Sequence, residues 1–153
     1  MDIRKKLLGE EHPHTISSMA NLARTYSSLG KWNEAEQLQV QVMNMGKKLL
    51  GAQHPHTLIN MTNLARTYSD LGKWSEAKQL QVKVMDIRKK LLGIQHPSIL
   101  TIIKDLASTY RDLGKWNKAE KLEIQVMDMS KKASWYRTSR YPLKHGKSSK
   151  DIQ

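Results

Sequence analysis

Apolar residues along this chain recur in steps of three and four. Ile16, Met19, Ala23, Tyr26 and Leu29 form one such series, and Trp32, Ala35, Leu38, Val42, Met45 and Leu49 form a second. This is the spacing of a helix with one buried face, and neither series shows the alternation of a half-buried strand. Pro13 marks the entry to the first helix, and Leu29-Gly30-Lys31 reads as a short turn. Asn33 with Glu36 is spaced as a capping box at the start of the second helix. Lys47-Lys48 before Gly51 supplies cations and a glycine where a helix ends. The expected first helix is about 15 residues, roughly 22 Å long, and the second about 18, roughly 27 Å.

The same pattern then returns. Gly9-Glu10-Glu11-His12-Pro13 recurs as Gly51-Ala52-Gln53-His54-Pro55 and as Gly93-Ile94-Gln95-His96-Pro97, a period of 42 residues without insertion. Leu-Gly-Lys-Trp recurs at 29–32, 71–74 and 113–116. Units 9–50 and 51–92 agree at 29 of 42 positions, and 51–92 and 93–134 at 21, so the third unit has diverged further. The chain therefore divides into repeats 9–50, 51–92 and 93–133, preceded by residues 1–8, which duplicate 85–92 and read as the end of a preceding second helix. Self-similarity at this period marks a solenoid, a propeller or an array. The helical spacing excludes the propeller. The capping box repeats as Asn117 with Glu120, whereas Ser75 is followed by Lys78 and lacks the carboxylate.

Within each unit the residues resemble the tetratricopeptide repeat. Met19, Leu22, Ala23, Tyr26, Gly30, Trp32 and Ala35 follow its succession of large, Leu, small, Tyr, Gly, aromatic, Ala. The second unit carries Met61, Leu64, Ala65, Tyr68, Gly72, Trp74 and Ala77, and the third Ile103, Leu106, Ala107, Tyr110, Gly114, Trp116 and Ala119. The 42-residue length, the His-Pro entry and the Asn-Leu-Ala run resemble the kinesin light chain subtype, including its near-identical fungal tandem form. The resemblance implies an all-α, right-handed α-solenoid of helix-turn-helix repeats. It also implies a non-catalytic scaffold whose first helices line a concave groove for an extended peptide. On the same ground Asn21 and Asn63 would bond a bound backbone, and Arg24, Arg66, Lys104 and Arg111 would read charge. Asp105 departs from the family Asn. Arg pairs bidentately with carboxylates, which points to an acidic segment. A ragged first unit also leaves an end that could pair with a second copy, or belong to a longer array, the alternative being a structural segment of a nucleotide-binding signalling receptor or kinesin light chain-like adaptor with no ligand of its own.

Composition narrows the chemistry. Cysteine is absent, so disulfides, thiolate metal sites and thiol nucleophiles are excluded. No apolar run approaches the roughly 20 residues that span a bilayer. Met1 to Lys6 followed by two leucines does not read as a secretory signal, which points to a cytoplasmic setting. There is no phosphate loop, nucleophile motif or recurring carboxylate pair, so no enzyme and no cofactor is expected. The pairs His12/His14 and His54/His56 invite a metal reading, but Ser98 replaces the second His in unit three, and they read instead as helix-entry residues. Met43, Met85 and Met127 share one repeat position and read as filling between second helices.

The net charge is +12, from 26 Lys and Arg against 14 acidic residues. Arg4-Lys5-Lys6, Lys47-Lys48, Arg88-Lys89-Lys90 and Lys131-Lys132 fall at successive second-helix ends. Stacked, they would form a basic ridge suited to phosphates, but no aromatic is interleaved to stack on bases, so nucleic acid is not the expected partner. The tail 134–153 is Ser- and Lys-rich. Trp135, Tyr136 and Tyr141 are placed to cover the last helix pair, and Pro142 and Gly146 suggest disorder at its end.

Overall fold

The computed structural model describes residues 12–145 together with Ile3 and Gly9, and side chains as far as Trp135. Six helices follow one another: α1 (Pro13–Ser28), α2 (Trp32–Leu49), α3 (Pro55–Asp70), α4 (Trp74–Leu92), α5 (Pro97–Asp112) and α6 (Trp116–His145). No strand occurs among the described residues. First helices begin at 13, 55 and 97, and second helices at 32, 74 and 116, so the sequence period is the structural period. Each helix packs mainly on the one before it and the one after it, the contact pattern of a solenoid. The expected stub before the first unit falls, apart from Ile3, outside the described residues.

Small residues set the spacing inside each pair. Ala23, Ala35, Ala65, Ala77, Ala107 and Ala119 are all buried, which lets the two backbones approach. Between pairs, Leu58, Met61, Val84 and Ile102 form a cluster, and Met43 and Met85 pack against it. Those two methionines therefore fill the seam as expected, while Met127 is half exposed.

The turns inside the pairs carry a positive-φ glycine, Gly30, Gly72 and Gly114, each at φ 75°. Lys31 N–H then reaches back to the Tyr26 carbonyl at 2.8 Å, and Lys73 and Lys115 do the same to Tyr68 and Tyr110. This closure satisfies the late carbonyls of the first helix. It also moves the start of the second. Ala35 N–H already bonds the Lys31 carbonyl, so Lys31 is the N-cap and Trp32 the first helical residue. The expected capping boxes are thus displaced. Asn33, Ser75 and Asn117 lie one residue inside their helices, and neither Lys31 nor Lys73 makes a side-chain cap.

First helices are capped by an unexpected residue. His12, His54 and His96 occupy the N-cap, and their Nδ1 atoms accept from the backbone N–H of His14, His56 and Ser98 at 3.2, 3.1 and 3.2 Å. The second His of each pair stacks on the first, with ring centroids 5.3 and 5.5 Å apart. Pro13, Pro55 and Pro97 take the first helical position, where a missing N–H costs nothing. The chain also stays helical past the last repeat, through Pro142 to His145. Residues from Gly146 onward lie outside the described part, as do the side chains of Tyr136 and Tyr141. Trp135 is 61% exposed rather than packed down as a cover.

Candidate functional site

Two pockets of similar size open where one repeat meets the next. Both have the same construction. Two first helices form the sides, and the second helix between them forms the floor. The pocket between repeats one and two, about 140 Å³, takes Arg24 and Ser27 from α1, Gln39 and Val42 from α2, and Asn63 and Arg66 from α3. The pocket between repeats two and three, about 150 Å³, takes Arg66 and Ser69 from α3, Gln81 and Val84 from α4, and Asp105 and Ser108 from α5. Arg66 borders both. A wider, more apolar cleft of about 470 Å³ opens at the N-terminal end of α1, against Val42, Gly46, Leu49 and Leu50.

The pockets differ in charge. Asp70 joins Arg24 and Arg66 at the first, which leaves two cations against one anion. Asp105 and Asp112 join Arg66 at the second, which reverses the balance. Burial raises the pKa of the Asp105 carboxyl, and Arg66 partly offsets this. Asp105 stands where α1 and α3 carry Asn21 and Asn63, so the charged residue has replaced a neutral one at a half-buried place.

Of the six residues singled out from sequence, Arg24, Asn63 and Arg66 line the pockets. Asn21 is exposed on α1, and its Oδ1 accepts from the Arg24 guanidinium at 2.6 Å, which fixes the arginine rather than the pocket wall. Lys104 is exposed on α5 and borders neither pocket. Arg111 donates to the Glu123 carboxylate of α6, so its charge is already matched within its own repeat. Sequence reasoning confined to first helices missed the floor. Gln39 and Gln81 share one repeat position on the second helices, and their recurrence at 42 residues was the available signal.

The second-helix ends are less free than a row of lysines suggests. Burial and then Lys83 lower the pKa of Lys47, and burial lowers that of Arg88. A cross-repeat ion pair lies elsewhere: Lys73 Nζ reaches both oxygens of Glu36, at 3.0 and 2.9 Å, and so joins repeat one to repeat two. Among the described residues no three His, Asp or Glu side chains come together as a metal site would require. None of the described helices is long and apolar enough to cross a membrane.

Stacked helix pairs with pockets at each junction define the class: an α-solenoid of tetratricopeptide type. The tetratricopeptide repeat family model matches residues 15–56, 60–98 and 99–134, and the chain belongs to that family. It is similar to the nearly identical TPR-like repeats of a Podospora anserina protein described as a kinesin light chain. Identity there is 36% and the TM-score 0.76, over 86% of this chain and 63% of that one. A methionine-substituted variant of the same repeats aligns at 34% identity and TM-score 0.76, over 91% of this chain and 63% of that one. BtubC (BKLC) from P. vanneervenii has the same fold at 20% identity, with a TM-score of 0.79 over 88% of this chain and 54% of that one. The chain thus spans under two thirds of the length of these three structures. No curated protein matches it.

Proposed function

We propose that this chain is a non-catalytic interaction scaffold, acting in the cytoplasm, that holds an extended acidic segment of another protein along its first helices. The observation that carries the reading is the junction of repeats one and two, where Arg24, Asn63 and Arg66 converge on one pocket. Guanidinium groups grip carboxylates in a fixed fork, and Asn63 offers both a donor and an acceptor to a backbone. Asn21 holds Arg24 in place. Lys104 adds positive potential on the exposed face of α5, and Arg111 contributes only where a ligand carboxylate displaces Glu123. The acidic stretch belongs at the first junction, because Asp105 and Asp112 repel it at the second.

The test is capture of protein partners from nuclease-treated lysate by the wild type and by Arg24→Glu, Arg66→Glu. Partners lost only in the variant support the groove. Equal capture by both proteins, or capture that vanishes with nuclease, would instead favour the basic helix ends or a passive structural segment.

A further inference from the structure

Positions 27, 69 and 111 are equivalent in the three repeats, as are positions 39, 81 and 123. The first set lies on the first helices and the second on the second helices. Repeats one and two carry Ser27 with Gln39 and Ser69 with Gln81. Repeat three carries Arg111 with Glu123, and these two are joined as an ion pair. Both positions therefore change together, from a neutral couple to a charged one.

In both neutral couples the glutamine has unused hydrogen-bonding capacity, and in the first couple the serine has too. Gln39 and Gln81 are 7% and 9% exposed, and each lines the floor of its pocket. Among the described residues no protein group bonds to Oε1 of Gln39, Oε1 of Gln81 or the buried Ser27 Oγ. A buried polar group without a partner is destabilising. Here that cost recurs at the same place in two repeats, and each place faces a pocket that opens on the groove.

We propose that Ser27 with Gln39, and Ser69 with Gln81, form two amide-binding niches on the floors of the two inter-repeat pockets, and that repeat three, with Arg111 paired to Glu123, offers no such neutral niche. The inference rests on the groove reading above and adds what the groove recognises besides charge. A carboxamide offers an acceptor oxygen and a two-hydrogen donor, and a serine hydroxyl offers one of each. An amide group of the ligand matches both senses. A charged group reaching the floor would lose its solvation against a neutral lining. An aliphatic side chain at the floor would leave the glutamine oxygens still without a donor, which disfavours it against an amide. The amide comes either from the ligand backbone or from an Asn or Gln side chain. Pockets near 150 Å³ have room for a side chain of a few heavy atoms.

The experiment uses the full chain and fluorescent Glu- and Ala-rich peptides that carry Gln or its near-isostere Leu at the central positions. A parallel set carries N-methylated backbone at the same place. The niches predict about tenfold weaker binding for Leu or for the N-methylated peptide, the value of roughly one hydrogen bond. Loss with Leu assigns the side chain, and loss with N-methylation assigns the backbone.

The variant Ser27→Ala, Gln39→Met, Ser69→Ala, Gln81→Met removes the polar groups of both niches and leaves apolar side chains of similar size at these buried places. It should keep the helical signal and bind all peptides alike. Acidic peptides bound without any Leu or N-methyl penalty would overturn the niches and leave the groove standing. Neutral Gln peptides bound as tightly as acidic ones would keep the niches and remove the acidic reading. No binding of any peptide by the wild type would overturn both.

Discussion

Met61→Ala tests whether the seams between repeats hold this solenoid together. Met61 is fully buried on α3. Its cluster joins Leu58 on the same helix to Val84 on α4 and Ile102 on α5, with Met43 of α2 packed against it. Residues of all three repeats thus join in the one cluster that contains Met61. Truncation to Ala removes three heavy groups, about 2.4 kcal/mol at roughly 0.8 kcal/mol for each buried group. The residual cavity adds about 1 kcal/mol more, within the range of roughly 2–5 kcal/mol for such changes. Because repeats in a solenoid contact only their neighbours, damage at the middle repeat weakens both junctions. Urea unfolding followed by circular dichroism should show a loss of about 3.5 kcal/mol and a transition that broadens as the outer repeats uncouple. Leu29→Ala, at a 65% exposed position, is the control and should stay within about 0.5 kcal/mol. A loss under about 1 kcal/mol for Met61→Ala, with the transition unchanged in shape, would refute the shared seam.

Three further predictions concern the caps, the charges and the repeat itself. His54→Ala removes the Nδ1 acceptor at the start of α3 and should cost on the order of 1 kcal/mol in urea unfolding, whereas His56→Ala should cost little; equal costs would disprove the cap. Burial holds the Asp105 carboxyl above its ordinary pKa, so its contribution to stability is present below the unfolded value and lost as pH rises through the folded one. Asp105→Asn should therefore stabilise the protein at neutral pH and not at about pH 3, and a gain of the same size at both would contradict the assignment. Glu36 joins Lys73 across the first junction, but the equivalent pair at the second is Lys78 and Lys115, and there Lys118 rather than Lys115 lies over the tyrosine ring. Lys78→Glu should raise the melting temperature in low salt, and the gain should disappear at about 1 M salt, where screening is nearly complete. A gain that survives high salt would point to helix propensity instead.

The 42-residue repeat and the helical spacing set the helices, their order and their stacking, but not the length of the last one, which runs on through Pro142 to His145. A 42-residue identity pattern with three- and four-residue apolar spacing leaves one architecture open, because each unit exposes a face that only its neighbour can cover. Of the residues that the family resemblance singled out, Arg24, Asn63 and Arg66 line the pockets between repeats. Tertiary structure decided what depends on contacts between helices. The tight Gly30 turn brings Lys31 to the N-cap and leaves Asn33 inside the helix. The approach of α5 to α6 pairs Arg111 with Glu123, so that this cation is matched within its own repeat. The same approach of first and second helices, with neutral residues at those positions, puts Gln39 and Gln81 on the floors of the two pockets. Helical spacing along one element says which side of that element is buried. It does not say which polar atom of another helix arrives there, because that depends on the distance and angle at which two helices pack.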